Sequence, residues 1–266
     1  MNGKPRTIVL VHGLWMTPQS WGGFKGYFEA RGHRVLTPAW PGLNGDVAAM
    51  RRDPSGLNGV GHKEIADHFE RIIRGLDEPP IIMGHSMGGL TTQILLDRGL
   101  GAAGVAIDAA PPHGILYLPF SAIRASFPVL KNPFNVGRTA ALTFGEFRYA
   151  FANAGPEQDA RALYEREAIP GPGRPLFQVA FSNLTPSSHT KVNFQNGNRA
   201  PLLLIAGGVD HIVPPSLTRA IFNKHKQSAA VTEYKEFPGR SHAIAAEAGW
   251  EEVAEYALTW AAGRNT

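Results

Sequence analysis

Residues 80–90 read Pro-Ile-Ile-Met-Gly-His-Ser-Met-Gly-Gly-Leu. Ile81, Ile82 and Met83 form the short apolar run of a strand buried on both faces, the kind found in a parallel sheet. Apolar and small residues resume at once from Met87, with the look of a helix running to about residue 98, where Gly99 stops it. Between the two lies Gly84-His85-Ser86-Met87-Gly88, a G-x-S-x-G pattern in the strand–turn–helix setting that gives the pattern meaning. A turn this sharp holds the serine hydroxyl out at the carboxyl edge of the sheet and strains the backbone there. Glycines flank it because larger side chains would meet the adjoining strand and helix. The start of the following helix aims N–H groups and its positive dipole end at the same spot. Ser86 is therefore the candidate nucleophile; the alternative is an ordinary connection that happens to contain a serine.

Outward from this stretch the chain alternates between strand-like and helix-like segments. The run 7–11 is apolar and ends at His12-Gly13; a helix is expected over about 20–31 and a short strand over 34–38. Residues 41–61 are rich in Gly, Pro, Asn and Asp and read as a long loop. Ile65, Ala66, Phe69, Ile72, Ile73 and Leu76 recur at helical spacing and predict an amphipathic helix over about 62–75. Further strands are expected over 103–107, 202–206 and 231–237, with helices near 215–224 and 243–262. Strands alternating with helices argue for a parallel sheet covered on both faces. Residues 111–198 break the alternation and look like an insertion between two late strands, with a Gly/Pro hinge at 170–175. The expected division is a core of 1–110 and 199–266 and a cap of 111–198.

A serine hydroxyl is a weak nucleophile until a base takes its proton. His242 follows the last expected strand and is the candidate base, although ten histidines make any single one weak grounds by itself. Asp210 ends Gly207-Gly-Val-Asp, just after the strand before that, and is the candidate acid that would fix the imidazole tautomer. Asp108 also follows a strand and competes; the order Ser, Asp, His along the chain favours Asp210. A tetrahedral intermediate needs two donors at its oxygen. The N–H of Met87 and, from the loop after the first strand, the N–H of Leu14 are the candidates, with Gly13 allowing close approach and His12 fixing the loop.

Taken together, His12-Gly13, Gly84-His-Ser-Met-Gly-Gly89, Gly207-Gly-Val-Asp210 and Ser241-His242 resemble the α/β-hydrolase superfamily, and within it the monomeric bacterial esterases and lipases with a helical cap. The resemblance implies an eight-stranded, mostly parallel sheet with helices on both faces. With few residues ahead of the first strand, the leading antiparallel strands are expected to be shortened or missing. Relatives that remove halide or open epoxides carry aspartate where this chain has Ser86, so those activities are not expected. The expected activity is hydrolysis of carboxylic esters without cofactor or metal. Perhydrolysis, C–C bond hydrolysis and lactone opening use the same groups, and a non-catalytic small-molecule receptor is the remaining alternative.

The 266 residues are 43% hydrophobic, enough for one large core. There is no cysteine, which excludes disulfides and thiolate chemistry in this chain. The formal charge of +4 is spread along the chain, with no nucleic-acid motif. No apolar run is long enough to span a bilayer and no signal peptide is apparent, so a cytoplasmic protein with no membrane or nucleic-acid partner is expected. Residues 111–195 hold nine of the fourteen Phe and three of the six Tyr, which would build the cap's own core and part of an apolar substrate cleft. Trp15 and Met16, next to the oxyanion loop, are the individual candidates for substrate contact, with core packing as the alternative for Trp15.

Overall fold

The computed structural model describes residues 6–264. Its central sheet is built from β1 (Thr7–Val11), β2 (Arg34–Leu36), β3 (Ile81–His85), β4 (Ala103–Ile107), β7 (Leu202–Gly207) and β8 (Thr232–Phe237), in the order β2-β1-β3-β4-β7-β8. Every neighbouring pair is parallel. β5 (Thr139–Ala140) and β6 (Gly171–Pro172) make a separate antiparallel pair. The helices are α1 (Gly22–Glu29), α2 (Val47–Arg52), α3 (His62–Arg74), α4 (Met87–Asp97), α5 (Phe120–Leu130), α6 (Phe144–Ala150), α7 (Glu157–Glu167), α8 (Arg174–Ala180), α9 (Pro215–His225) and α10 (Trp250–Ala262).

Alternation along the strands sorts the core into two layers. Ile8, Leu10, Ile81 and Met83 point to one face, where Phe24 and Phe28 of α1 and Val253 and Ala257 of α10 cover them. Val9, Val11 and Ile82 point to the other face, against Ile65 and Phe69 of α3 and Leu90 and Ile94 of α4. Both faces are dry, which is why these strands read as continuous apolar runs and not as alternating ones. α4 is buried along nearly its whole length, and its polar side chains turn inward on their own helix. Thr91 and Thr92 donate to the carbonyls of Met87 and Gly88 at 3.1 and 3.0 Å.

The sheet holds six strands among the described residues, in line with the expectation that the leading antiparallel strands of the eight are shortened or missing. β2 is left as an edge, and it is only three residues long, a common way of blunting an open edge. Two expectations need correction. The 41–61 segment is not a continuous loop: Asp46 accepts a hydrogen bond from the Ala49 N–H at 2.8 Å and so caps α2. The closing helix begins at Trp250, not near 243, because Gly249 sits at φ +79°, outside the helical region, and residues 241–247 form tight turns first.

Between β4 and β7, neighbours in the sheet, the chain leaves the sheet to form α5 to α8. The Gly/Pro run read as a hinge is a paired strand here: Gly171 and Pro172 lie opposite Ala140 and Thr139, and the Gly173 N–H donates to the Arg138 carbonyl at 2.9 Å.

Candidate active site

The order of strands reverses between β1 and β3, and in an open α/β sheet the crevice at such a point, beyond the carboxyl ends of the strands, is where ligands bind. Ser86 lies there, directly after β3. Its φ of 56° and ψ of −119° are unusual for any residue but glycine. The fold holds that strain with hydrogen bonds on both sides: the Ser86 N–H donates to the Ile107 carbonyl at 2.9 Å, and the Ser86 carbonyl accepts from Gly89 and Ala110. Gly88 has no room for a side chain, since a Cβ would fall 2.1 Å from the Val11 carbonyl oxygen. Gly13 also brings the loop after β1 close, where a Cβ would stand 3.0 Å from the Ser86 Cβ.

That loop is fixed by His12. Its Nδ1–H donates to the Gly13 carbonyl at 3.0 Å, its Nε2 accepts from the Trp40 N–H at 3.2 Å, and its ring stacks on Trp40. Burial lowers its pKa to about 4, so it serves as a neutral strut. The N–H groups of Leu14 and Met87 have no acceptor among the described residues. For Met87 this follows from its place in the first turn of α4, where helical N–H groups lack an intrahelical partner.

His242 and Asp210 meet from the loops after β8 and β7. His242 Nδ1–H donates to Asp210 Oδ2 at 2.6 Å, and both side chains are fully buried. Asp210 Oδ1 accepts from the N–H groups of Ile212 and Val213 at 2.7 and 2.9 Å, which leaves the carboxylate no freedom to turn. His242 Nε2 is buried without a hydrogen-bond partner. No hydrogen bond joins it to Ser86 Oγ in this structure; such bonds are often long before substrate binds.

Asp108 sits behind this pair at φ 43°. Its Oδ1 accepts from the Gly207 N–H at 2.7 Å, while Oδ2 finds no donor. Burial first, and then the charge of Asp210, push its carboxyl well above the ordinary carboxylate range. The acid that bonds the imidazole is Asp210, with Asp108 behind it. His85, Asp108 and His242 bring one ligand-type atom each within 4.8 Å of one another. The two histidines are each already bonded through one nitrogen, His85 to the His242 carbonyl and His242 to Asp210.

Two contacts were not read from the sequence. His85, the variable residue of G-x-S-x-G, donates from Nε2 to the His242 carbonyl at 2.8 Å, and the two rings lie 4.5 Å apart. Phe151, at the end of α6, packs its edge on His242 at 4.8 Å and stacks on Phe147. Nothing in the local sequence singles Phe151 out from the other eight Phe of the insertion. Trp15, at φ 64°, is buried and meets Phe151 at 5.9 Å, and its Nε1–H donates to the Ala140 carbonyl at 3.0 Å. Met16 is also buried and lines, with Trp21, His85 and His242, a cavity of about 20 Å³, room for roughly one water. Ser86 is only 5% exposed.

Residues 8–256 match the sequence model of the Alpha/beta hydrolase family. No curated protein matches the chain by sequence. Among solved structures, the chain is similar to a monoacylglycerol lipase from Paleococcus ferrophilus at 22% identity, covering 98% of this chain and 96% of that one with a TM-score of 0.68. An extracellular alpha/beta-hydrolase from a Paenibacillus species is 24% identical over 97% of this chain and 99% of its own, with a TM-score of 0.67. Tomato methylketone synthase I, complexed with 2-tridecanone, superposes with a TM-score of 0.72 at 14% identity over 98% and 99% of the two chains.

Proposed function

Because the chain belongs to the alpha/beta hydrolase family, we propose that it is a serine hydrolase cleaving carboxylic esters of small to medium apolar substrates. Ser86 Oγ attacks the acyl carbonyl and gives its proton to His242 Nε2. The N–H groups of Leu14 and Met87 receive the oxygen as it gains negative charge, each worth roughly 3 kcal/mol of barrier. Asp210, by holding Nδ1–H, keeps the tautomer in which Nε2 is the base and stabilises the imidazolium. His242 then passes the proton to the departing alkoxide oxygen as the C–O bond breaks, leaving an acyl-enzyme. Water, deprotonated by the same imidazole, attacks the acyl carbon and releases the acid and free Ser86.

One observation carries the reading. The buried 2.6 Å bond from His242 to Asp210 leaves Nε2 without a partner, next to the strained turn that presents Ser86. We read 111–198 as a cap over a core of 1–110 and 199–266, because Phe151 and Ala140 from that segment meet His242 and Trp15. Trp15, Met16 and Phe151 then line the apolar side of the substrate pocket.

The test is a p-nitrophenyl ester series of rising acyl length, run with the wild type and Ser86→Ala, together with fluorophosphonate labelling. A single adduct on Ser86 and a loss of about 10⁴-fold or more in kcat/KM are expected. Undiminished turnover in Ser86→Ala would remove the nucleophile and with it this reading.

A further inference from the structure

The insertion leaves a broad apolar face uncovered. Leu116, Leu118 and Phe120 are 84, 66 and 78% exposed, Phe127 and Phe134 are 59 and 73%, and Leu184 is 80%. Single exposed apolar side chains are ordinary on a protein surface, but a group of this size is not. The group is one neighbourhood. The Gly114 N–H donates to Asn183 Oδ1 at 2.7 Å and Asn183 Nδ2 donates to the Ile115 carbonyl at 2.9 Å, which seats 114–118 against the turn Ser182–Leu184. α5 in turn packs on α8 and on the turn Pro133–Gly137.

α5 is apolar on two sides. Ala122, Ala125 and Val129 are its buried stripe; Phe120, Ile123 and Phe127, at the same spacing, face solvent. A surface helix ordinarily turns charged or polar residues that way. The segments that carry this face have charges of one sign, and Glu146 of α6, which also packs on α5, has its carboxylate bonded to Thr143. Neither 109–145 nor 168–209 contains an Asp or Glu, although the chain has 22 of them. Arg124, Lys131 and Arg138 are all exposed on or just beyond α5.

These features select among occupants. A second copy meeting the same face about a two-fold axis would set these cations against their own kind. A small ligand needs concavity, and the surface depressions of about 570 and 720 Å³ are lined by other residues. An anionic surface with an apolar layer beneath satisfies both the cations and the side chains. We propose that this face docks on an anionic lipid–water interface, with Leu116, Leu118, Phe120, Phe127 and Phe134 entering the acyl boundary and Arg124, Lys131 and Arg138 meeting the headgroups. No helix among the described residues is long and apolar enough to cross a membrane, so the attachment is to the surface. The proposal stands apart from the ester-hydrolase reading.

Co-sedimentation of the full chain with phosphatidylglycerol-containing vesicles and with pure phosphatidylcholine vesicles, at low and high salt, tests it. Expected are binding to the anionic vesicles that salt weakens, and binding to phosphatidylcholine lower by about tenfold or more. Phe120→Ser with Phe134→Ser lowers anionic binding by roughly tenfold or more, and Lys131→Gln with Arg138→Gln by about tenfold. All four substitutions lie at exposed positions outside the catalytic group, so the melting temperature and turnover of a water-soluble short-chain ester stay at wild-type values. Absence of binding to either vesicle overturns the proposal. So does binding that the Phe substitutions leave unchanged. A dimer in sedimentation equilibrium that those substitutions dissolve gives the face to a second copy, and a raised KM for the short ester gives it to substrate entry; either result also overturns it. Vesicle binding is read without turnover, so its failure is distinct from failure of the hydrolase reading.

Discussion

Ser86, Trp15 and Asp108 are the non-glycine residues with positive φ among the described ones, and all three belong to the candidate site. Such conformations cost of order 1–3 kcal/mol each and persist only where surrounding contacts force them. The two acids near His242 differ in environment: Asp210 accepts from two backbone N–H groups and from His242, while burial and the charge of Asp210 push the Asp108 carboxyl well above the ordinary carboxylate range. Asp210→Asn is expected to lower kcat by about 10³–10⁴-fold, because the amide no longer enforces the reactive tautomer. Asp108→Asn is expected to cost less than about tenfold, since an amide still offers a donor to Asp210 and an acceptor to Gly207. Steady-state kinetics of both variants check this, and the reverse ranking would transfer the acid's role to Asp108. Gly88→Ala is expected to destabilise by about 3 kcal/mol or more in urea titration, because its Cβ would meet backbone of β1 that cannot give way.

Between elements, side-chain to backbone bonds tie the insertion to the sheet-bearing part of the chain. Arg51, in the last turn of α2, donates from Nη2 and Nε to the carbonyls of Tyr164 and Ala168 at the C-terminal end of α7, both at 2.8 Å. The Tyr164 carbonyl also accepts from the Ala168 N–H at 3.0 Å, and the Ala168 carbonyl lies just past the helix, so the guanidinium reinforces the last turn of α7 and satisfies the carbonyl beyond it. Arg51→Met keeps the aliphatic stem and removes the donors. A loss of about 2 kcal/mol in chemical denaturation, with faster amide exchange at the end of α7, is the expected result. Unchanged exchange there would mean that water replaces the guanidinium at no cost. The Trp15 to Ala140 bond makes a second tie, from the loop after β1 to β5.

The folded molecule as a whole stores several neutral histidines. Burial lowers His12 and His62 to about 4, and burial with the nearby Arg199 charge lowers His225 to about 3. Unfolded, each would charge at about 6.5. The folded values lie below the unfolded ones, so the stabilisation is full above about pH 6.5 and is lost progressively toward pH 3–4. Asp108 and Glu247, both raised chiefly by burial, act in the opposite sense and gain stabilising weight as the pH falls toward the ordinary carboxylate value. His85, lowered well below its ordinary value chiefly by burial, and Asp67 and Glu70, lowered chiefly by side-chain hydrogen bonds to Lys63 and Arg74, act in the same sense as the three histidines, so the melting temperature is expected to fall as the pH is lowered from about 7 to about 4.5. A flat profile over that range in calorimetry would show that the histidines take up protons without unfolding.

Much of this architecture could be read from one stretch after another. The run before Ser86, the glycines around it, and the helix after it are local requirements, met by residues within a dozen positions of one another. The same holds for β4, whose limits match the expected 103–107, and for α3, α4, β7 and β8, which differ from expectation by a residue or two. Period and turn chemistry are properties of neighbours in the chain, so the amino-acid order alone determined them. It also narrowed the acid to Asp108 or Asp210, and their order along the chain favoured one. The tertiary structure decided what depends on distant partners: which carboxylate reaches His242, that Phe151 is the ring placed on it, that Asp46 caps a helix inside an apparent loop, and that the sheet stops at six strands. It decided as well that Phe147 is buried while Phe120 and Phe127 face water. An aromatic side chain reads the same in sequence in either case, because whether it is covered depends on what the rest of the chain brings to it.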